Sequence, residues 1–201
     1  FLKFDATWAY GGSITLCSML PLVIIAYKYG AGWGCLAGLA HGLITMMISG
    51  GRAGGLAAMI EENGGIKLFL LIMLFDYILA FTSIGLAGFA PRFCKTQVSS
   101  VAVGSLIGLF ARYICHTLSG FLFFGDYAEW FFGEQVPWGG WFLSTFHGKV
   151  LSLVYSIVYN GLYMIPEMIL TAVVGGILAK ALSKQIAANR TNIAPKALRN
   201  A

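Results

Sequence analysis

Charge is what this sequence has least of. Only 10% of its 201 residues are charged, against roughly 25% in soluble globular domains, and that scarcity excludes an ordinary soluble fold. The four cysteines, Cys17, Cys35, Cys94 and Cys115, form no C-x-x-C pair. Neither a disulfide framework nor a zinc site is expected, and they read as small apolar packing residues. No G-x-x-x-x-G-K-[ST] occurs, which excludes nucleotide binding through a P-loop, and no H-E-x-x-H occurs either. His41, His116 and His147 fall at different depths, so a shared metal is not expected. Ser119 follows His116 by three residues, but no separate helix-borne base completes an intramembrane protease. The first residues lack a basic segment followed by an apolar run, so no cleavable leader is read there. No enzyme, cofactor or metal is expected.

Apolar residues are what remains: 58% of the chain is hydrophobic, with a mean hydropathy of +0.79. A helix crosses the hydrocarbon with about 20 mostly apolar residues. Five long apolar stretches meet that pattern, at 13–27, 31–49, 66–90, 98–124 and 151–180. They are long and continuous, unlike the short alternating strands of a barrel, the other structure that satisfies backbone groups in lipid. The expectation is one all-α domain over 1–201, a polytopic transmembrane bundle. Gly34, Gly38 and Gly42, four residues apart, put three glycines on one helix face for close helix packing. Trp130, Trp138 and Trp141 in the loop 125–150 suit the membrane–water boundary.

Lysine and arginine set the orientation. One side collects Lys28, Arg92, Lys95, Lys180, Lys184, Arg190, Lys196 and Arg199, with no acid among them. The other holds Lys3, Arg52, Lys67 and Lys149 among six acids. Eight against four places the tail 181–201 in the cytoplasm and the loops 1–12, 50–65 and 125–150 outside. The net charge of +5 then follows from topology, and no nucleic-acid partner is needed.

Asp76, Arg112 and Glu167 lie inside apolar stretches, where ionisable residues mark a cavity or pair with one another. Counted from the outer helix ends, Asp76 is ten residues down, His116 about eight and Asn160 about ten. At about 1.5 Å per residue that is a common depth of roughly 12–15 Å. Arg112, His116, Gly120 and Phe124 recur every four residues and share one stripe. Tyr155, Tyr159 and Tyr163 form another stripe beside Asn160, and Tyr77 adjoins Asp76. An acid ringed by aromatic faces suits a flat cation. Two pairings compete with that reading: Asp76 with Arg112 as a structural bridge, and Glu167 with Arg112.

These residues resemble the thiamine-specific substrate-binding (S) component of energy-coupling factor transporters. The likeness runs through Gly11-Gly12-Ser13-Ile14-Thr15-Leu16, Met19-Leu20-Pro21-Leu22 and Asp76-Tyr77 to Ala80-Phe81. It continues through Arg112-Tyr113 to His116 and Ser119-Gly120, then Tyr155 through Tyr159-Asn160-Gly161 to Pro166-Glu167. The resemblance implies a six-helix S-component fold; with five spans counted, the family's first helix is expected to lie outside this chain. It also implies a vitamin site formed by Asp76, Tyr77, His116, Gly120, Phe124, Tyr155 and Asn160, with Trp8 closing over the ligand. Phe124 stands where some relatives carry tryptophan, and Asp76 where some carry glutamate. The implied partners are thiamine, a transmembrane coupling subunit, two ATPase subunits and membrane lipid. The expected function is thiamine capture outside the cell for ATP-driven uptake across the plasma membrane. The alternative is an ion- or proton-coupled secondary transporter of a small cationic solute, with Asp76, Arg112 and Glu167 as the relay.

Overall fold

The computed structural model describes residues 3–5, 13–15, 17–52, 60–61 and 64–186. Trp8 and the tail from residue 187 onward lie outside the described residues. Five helices carry the fold: α1 (Leu20–Tyr29), α2 (Ala31–Arg52), α3 (Ile66–Arg92), α4 (Gln97–Phe123) and α5 (Gly148–Ala181). The last four are long and apolar enough to cross a membrane.

The apolar stretch 13–27 does not fold as a single span. Ser13–Thr15 is a strand (β2) paired antiparallel with Lys3–Asp5 (β1), Phe4 opposite Ile14. Cys17 then takes a left-handed backbone, φ 51°, which stops regular structure before Leu20. Hydropathy is blind to that break. Pro21 consequently sits in the first turn of α1, where its missing N–H costs no hydrogen bond. With ten residues, α1 is about 15 Å long, half the ~30 Å hydrocarbon core. Gly30, at φ 100°, ends α1 and lets α2 start one residue later.

The stripe of glycines on α2 presses against α3. A Cβ on Gly38 would stand 2.1 Å from the Phe81 carbonyl oxygen, and one on Gly42 2.5 Å from that of Tyr77. Without a hydrophobic drive between helices in lipid, such close backbone approach supplies the van der Waals contact that holds them. The opposite face of α2 carries Trp33, Leu36, Ile44 and Met47, all exposed, as a lipid-facing surface requires. At the start of α4, Thr96 and Ser99 cap each other: the Thr96 hydroxyl accepts from Ser99 N–H at 3.1 Å, and the Ser99 hydroxyl accepts from Thr96 N–H at 3.3 Å. This reciprocal cap satisfies donors that the first turn leaves open.

One core cluster gathers Val23, Tyr27, Phe81, Ile84, Val101 and Leu109 between α1, α3 and α4. A second joins Leu151 and Tyr155 of α5 to Phe131, Phe132 and Val136. Those last residues come from the segment between α4 and α5, which is not a plain loop. It winds through short helical turns at Gly125–Tyr127, Ala128–Trp130, Phe131–Gln135 and Gly140–Thr145. Its aromatic side chains fold back onto α5, so they are core as much as boundary residues.

Candidate functional site

Asp76 is presented by an irregularity in α3. The helix is α-helical over Ile66–Met73, opens into a π-helical stretch at Leu74–Leu79, and returns to α at Ala80–Ser83. Such π segments recur at functional sites because the extra residue re-aims side chains that a regular helix would line up. From α4, His116 and Ser119 share a face through their three-residue spacing and reach across to the acid. His116 Nδ1 lies 2.9 Å from Asp76 Oδ1, and the Ser119 hydroxyl donates to Oδ2 at 2.8 Å. An ionised carboxylate only accepts, so the imidazole donates through Nδ1. Asp76 and His116 are 19% and 15% exposed, which leaves the acid reachable.

The third wall comes from α5. The Asn160 amide donates to the Ser156 carbonyl at 2.9 Å and to the His116 carbonyl at 3.4 Å. Its oxygen accepts from the Tyr163 hydroxyl at 2.6 Å. Ser156 in turn donates to the Thr117 carbonyl at 2.7 Å, so α4 and α5 are tied at the same depth. Tyr155 and Tyr159 lie 5.7 Å apart near parallel, and Phe131 meets both edge-on at 5.2 and 5.6 Å. Offset and edge-on packing of this kind suits aromatic quadrupoles.

These groups enclose a cavity of about 420 Å³, within the range of small-molecule sites. Its lining combines Asp76, His116, Ser119 and Asn160 with an aromatic wall that includes Phe124, Trp130 and Tyr155. Among the described residues no lysine or arginine lines it. The guanidinium of Arg112 is engaged elsewhere: it pairs with Glu167 at 3.7 Å and lies 4.9 Å over the Phe81 ring. Of the two pairings open from the sequence, the structure has Arg112 with Glu167. Asp76 keeps its face to the cavity.

Comparison with known proteins decides the family. Residues 2–136 match the model of the thiamine transporter protein family. The chain is 32% identical to thiamine transporter ThiT of Bacillus subtilis over 174 residues, 82% of this chain and 73% of that protein. The chain belongs to the thiamine transporter family. It is a family of transporters and not of enzymes. A second ThiT, from Lacticaseibacillus paracasei, is 28% identical over 169 residues, 80% of this chain and 70% of the relative. A solved structure of ThiT from Listeria monocytogenes has the same fold, with a TM-score of 0.60 at 23% identity. It covers 96% of this chain and 87% of the solved one.

Within this member of the family, the structure brings Asp76, His116, Gly120, Phe124, Tyr155 and Asn160 to one cavity. Tyr77 is not on its wall. Consecutive helical residues point in different directions, and with Asp76 facing the cavity Tyr77 packs against the core clusters. Trp8 lies outside the described residues. Gly120, on the stripe of His116, packs closely against α5, where a Cβ would run into the Ser156 hydroxyl. Sequence reading missed Ser119, Tyr127, Trp130 and Phe131 as lining residues. Spacing from His116 could have found Ser119. Trp130 reads as a boundary aromatic, Tyr127 and Phe131 carry no signal in the sequence, and only the fold-back of their segment onto α5 brings the three in. Tyr159 and Tyr163 also line the cavity, as their stripe beside Asn160 allows. The three histidines stand apart: His41 packs against Phe81 at 5.0 Å, and His147 is exposed ahead of α5.

Proposed function

We propose that this chain is the thiamine-capturing membrane subunit, the S component, of an energy-coupling factor importer. The observation that carries the reading is a reachable carboxylate in an aromatic cavity on whose wall, among the described residues, no lysine or arginine stands. Thiamine is the chemical complement: a permanently cationic thiazolium joined to a flat aminopyrimidine with donors and acceptors. Asp76 supplies charge and hydrogen-bond capture, and aromatic faces add cation–π attraction. His116 and Asn160 supply polar contacts, Tyr155 and Phe124 stacking surface, and Gly120 a close approach to backbone. Tyr77 supports Asp76 from the packed side, and Trp8 closes over the vitamin.

With no P-loop in its sequence, the chain takes its energy from partners, a transmembrane coupling subunit and two ATPase subunits. The excess of lysine and arginine on one side puts the C-terminus in the cytoplasm and the cavity toward the outside of the plasma membrane. Titration of the purified chain with thiamine tests the reading. Trp130 lines the cavity, so saturable quenching of tryptophan fluorescence at sub-micromolar thiamine is expected. Absence of both quenching and calorimetric heat would overturn it. Proton-driven thiamine uptake by this chain alone in liposomes would overturn the partner assignment.

A further inference from the structure

The serine hydroxyls of α4 behave in two ways. Ser100 and Ser105 donate to carbonyls of their own helix, Thr96 and Val101, at 2.7 and 2.9 Å. That back-bonding is the ordinary fate of serine in a helix inside an apolar bundle. Ser119 does otherwise. It is buried, 1% exposed, and its hydroxyl crosses to α3 and donates to Asp76 Oδ2 at 2.8 Å. The other oxygen, Oδ1, is held by His116 Nδ1 at 2.9 Å. Asp76 therefore has each carboxylate oxygen held by a donor from the same face of α4.

We infer that Ser119 is a positioning residue for ligand capture: it fixes the plane of the Asp76 carboxylate so that its charge is held at the cavity. The inference rests on the thiamine reading of this site. The physical need comes from the backbone beneath the acid. Asp76 sits in a π-helical stretch, and an acid with a single anchor at Oδ1 can swing its second oxygen about that contact. Two anchors remove the freedom before the ligand arrives, so its ordering cost is not subtracted from affinity. Ser119 itself need not touch the ligand. Its effect passes through the direction of a charge, and so it depends on the charge of the guest.

That dependence separates positioning from mere packing. Ser119→Ala and Ser119→Thr would be purified alongside the unaltered chain. Each would be titrated with thiamine and with an isostere whose thiazolium is replaced by an uncharged ring of the same size. Hydrogen bonds to charged groups support a loss of about 10- to 100-fold in thiamine affinity for Ser119→Ala. Affinity for the uncharged isostere is expected to stay within about three-fold, and Ser119→Thr, which keeps the hydroxyl, to recover most of the thiamine affinity. Equal losses for both ligands would make Ser119 a packing residue and overturn the inference. Unchanged thiamine affinity in Ser119→Ala would overturn it as well, while leaving the thiamine reading intact. Failure of the unaltered chain to bind thiamine would remove both. A melting temperature for each variant in detergent identifies a fold that is lost, in which case the Ser119→Thr comparison decides.

Discussion

Asp76→Asn changes the charge of the cavity while leaving its shape almost untouched. Asparagine keeps one acceptor oxygen for the Ser119 hydroxyl, which donates at 2.8 Å in the unaltered chain. Its amide nitrogen can face His116, whose ring turns acceptor by a change of tautomer. The fold should therefore hold. What disappears is the attraction between a carboxylate and a cationic ring. At a separation of about 4 Å and an effective dielectric of about 20, that attraction is worth about 4 kcal/mol. Water in the open cavity and the residual amide contact reduce it to about 2–4 kcal/mol, or about 30- to 1,000-fold in Kd, at 1.36 kcal/mol per decade. Tryptophan quenching by thiamine, with calorimetry to confirm stoichiometry, measures the change directly. A second titration at raised ionic strength adds a check, because a partly buried pair is screened much less than an exposed one. A Kd within about three-fold of the unaltered chain, in a variant whose melting temperature is unchanged, would refute the charge argument and take Asp76 out of the site.

Two further perturbations test the scaffold around the cavity. Glu167→Gln removes the charge partner of Arg112, whose side chain is 13% exposed. Leaving a buried guanidinium unpaired costs about 3–5 kcal/mol, so the melting temperature should fall by several degrees. Thiamine Kd should move less than about three-fold; a large affinity loss without destabilisation would show that the pair belongs to the site. Gly38→Ala drives a Cβ against the Phe81 carbonyl, whereas Gly32→Ala meets nothing within 4 Å. Thermal unfolding in detergent should show marked destabilisation for the first and little change for the second; equal effects would mean that α2 is not held by backbone approach.

Periodicity and helical rise made much of this molecule readable in advance. Once a stretch is helical and enters from a known end, depth follows from residue count, and that is why Asp76, His116 and Asn160 could be placed on one level. Direction is harder. The resemblance names Tyr77 beside Asp76, and in the structure it packs against the core rather than lining the cavity; the π-helical stretch that aims Asp76 leaves no mark in hydropathy. The run Ser13–Tyr27 is apolar apart from Ser13, Thr15 and Ser18, so its mean hydropathy does not reveal the left-handed turn at Cys17 that divides strand from helix. Trp130 and Phe131 illustrate a third limit. Their place on the cavity depends on how a long connection folds back over α5, a tertiary event without a local period.

Two buried carboxylates remain to be told apart, and their surroundings do so. Glu167 is 3.7 Å from Arg112 and accepts from the Ser18 hydroxyl at 3.4 Å; its countercharge is internal, and a pair of this kind can serve the bundle without any guest. Asp76 has a hydroxyl and an imidazole N–H for company. Neutral donors stabilise a carboxylate without cancelling its charge. A net negative group held in a membrane bundle is costly unless something neutralises it. With Arg112 paired to Glu167 and, among the described residues, no lysine or arginine on the wall, a countercharge for Asp76 can come from a guest, and a cationic ring between aromatic faces is one that would supply it.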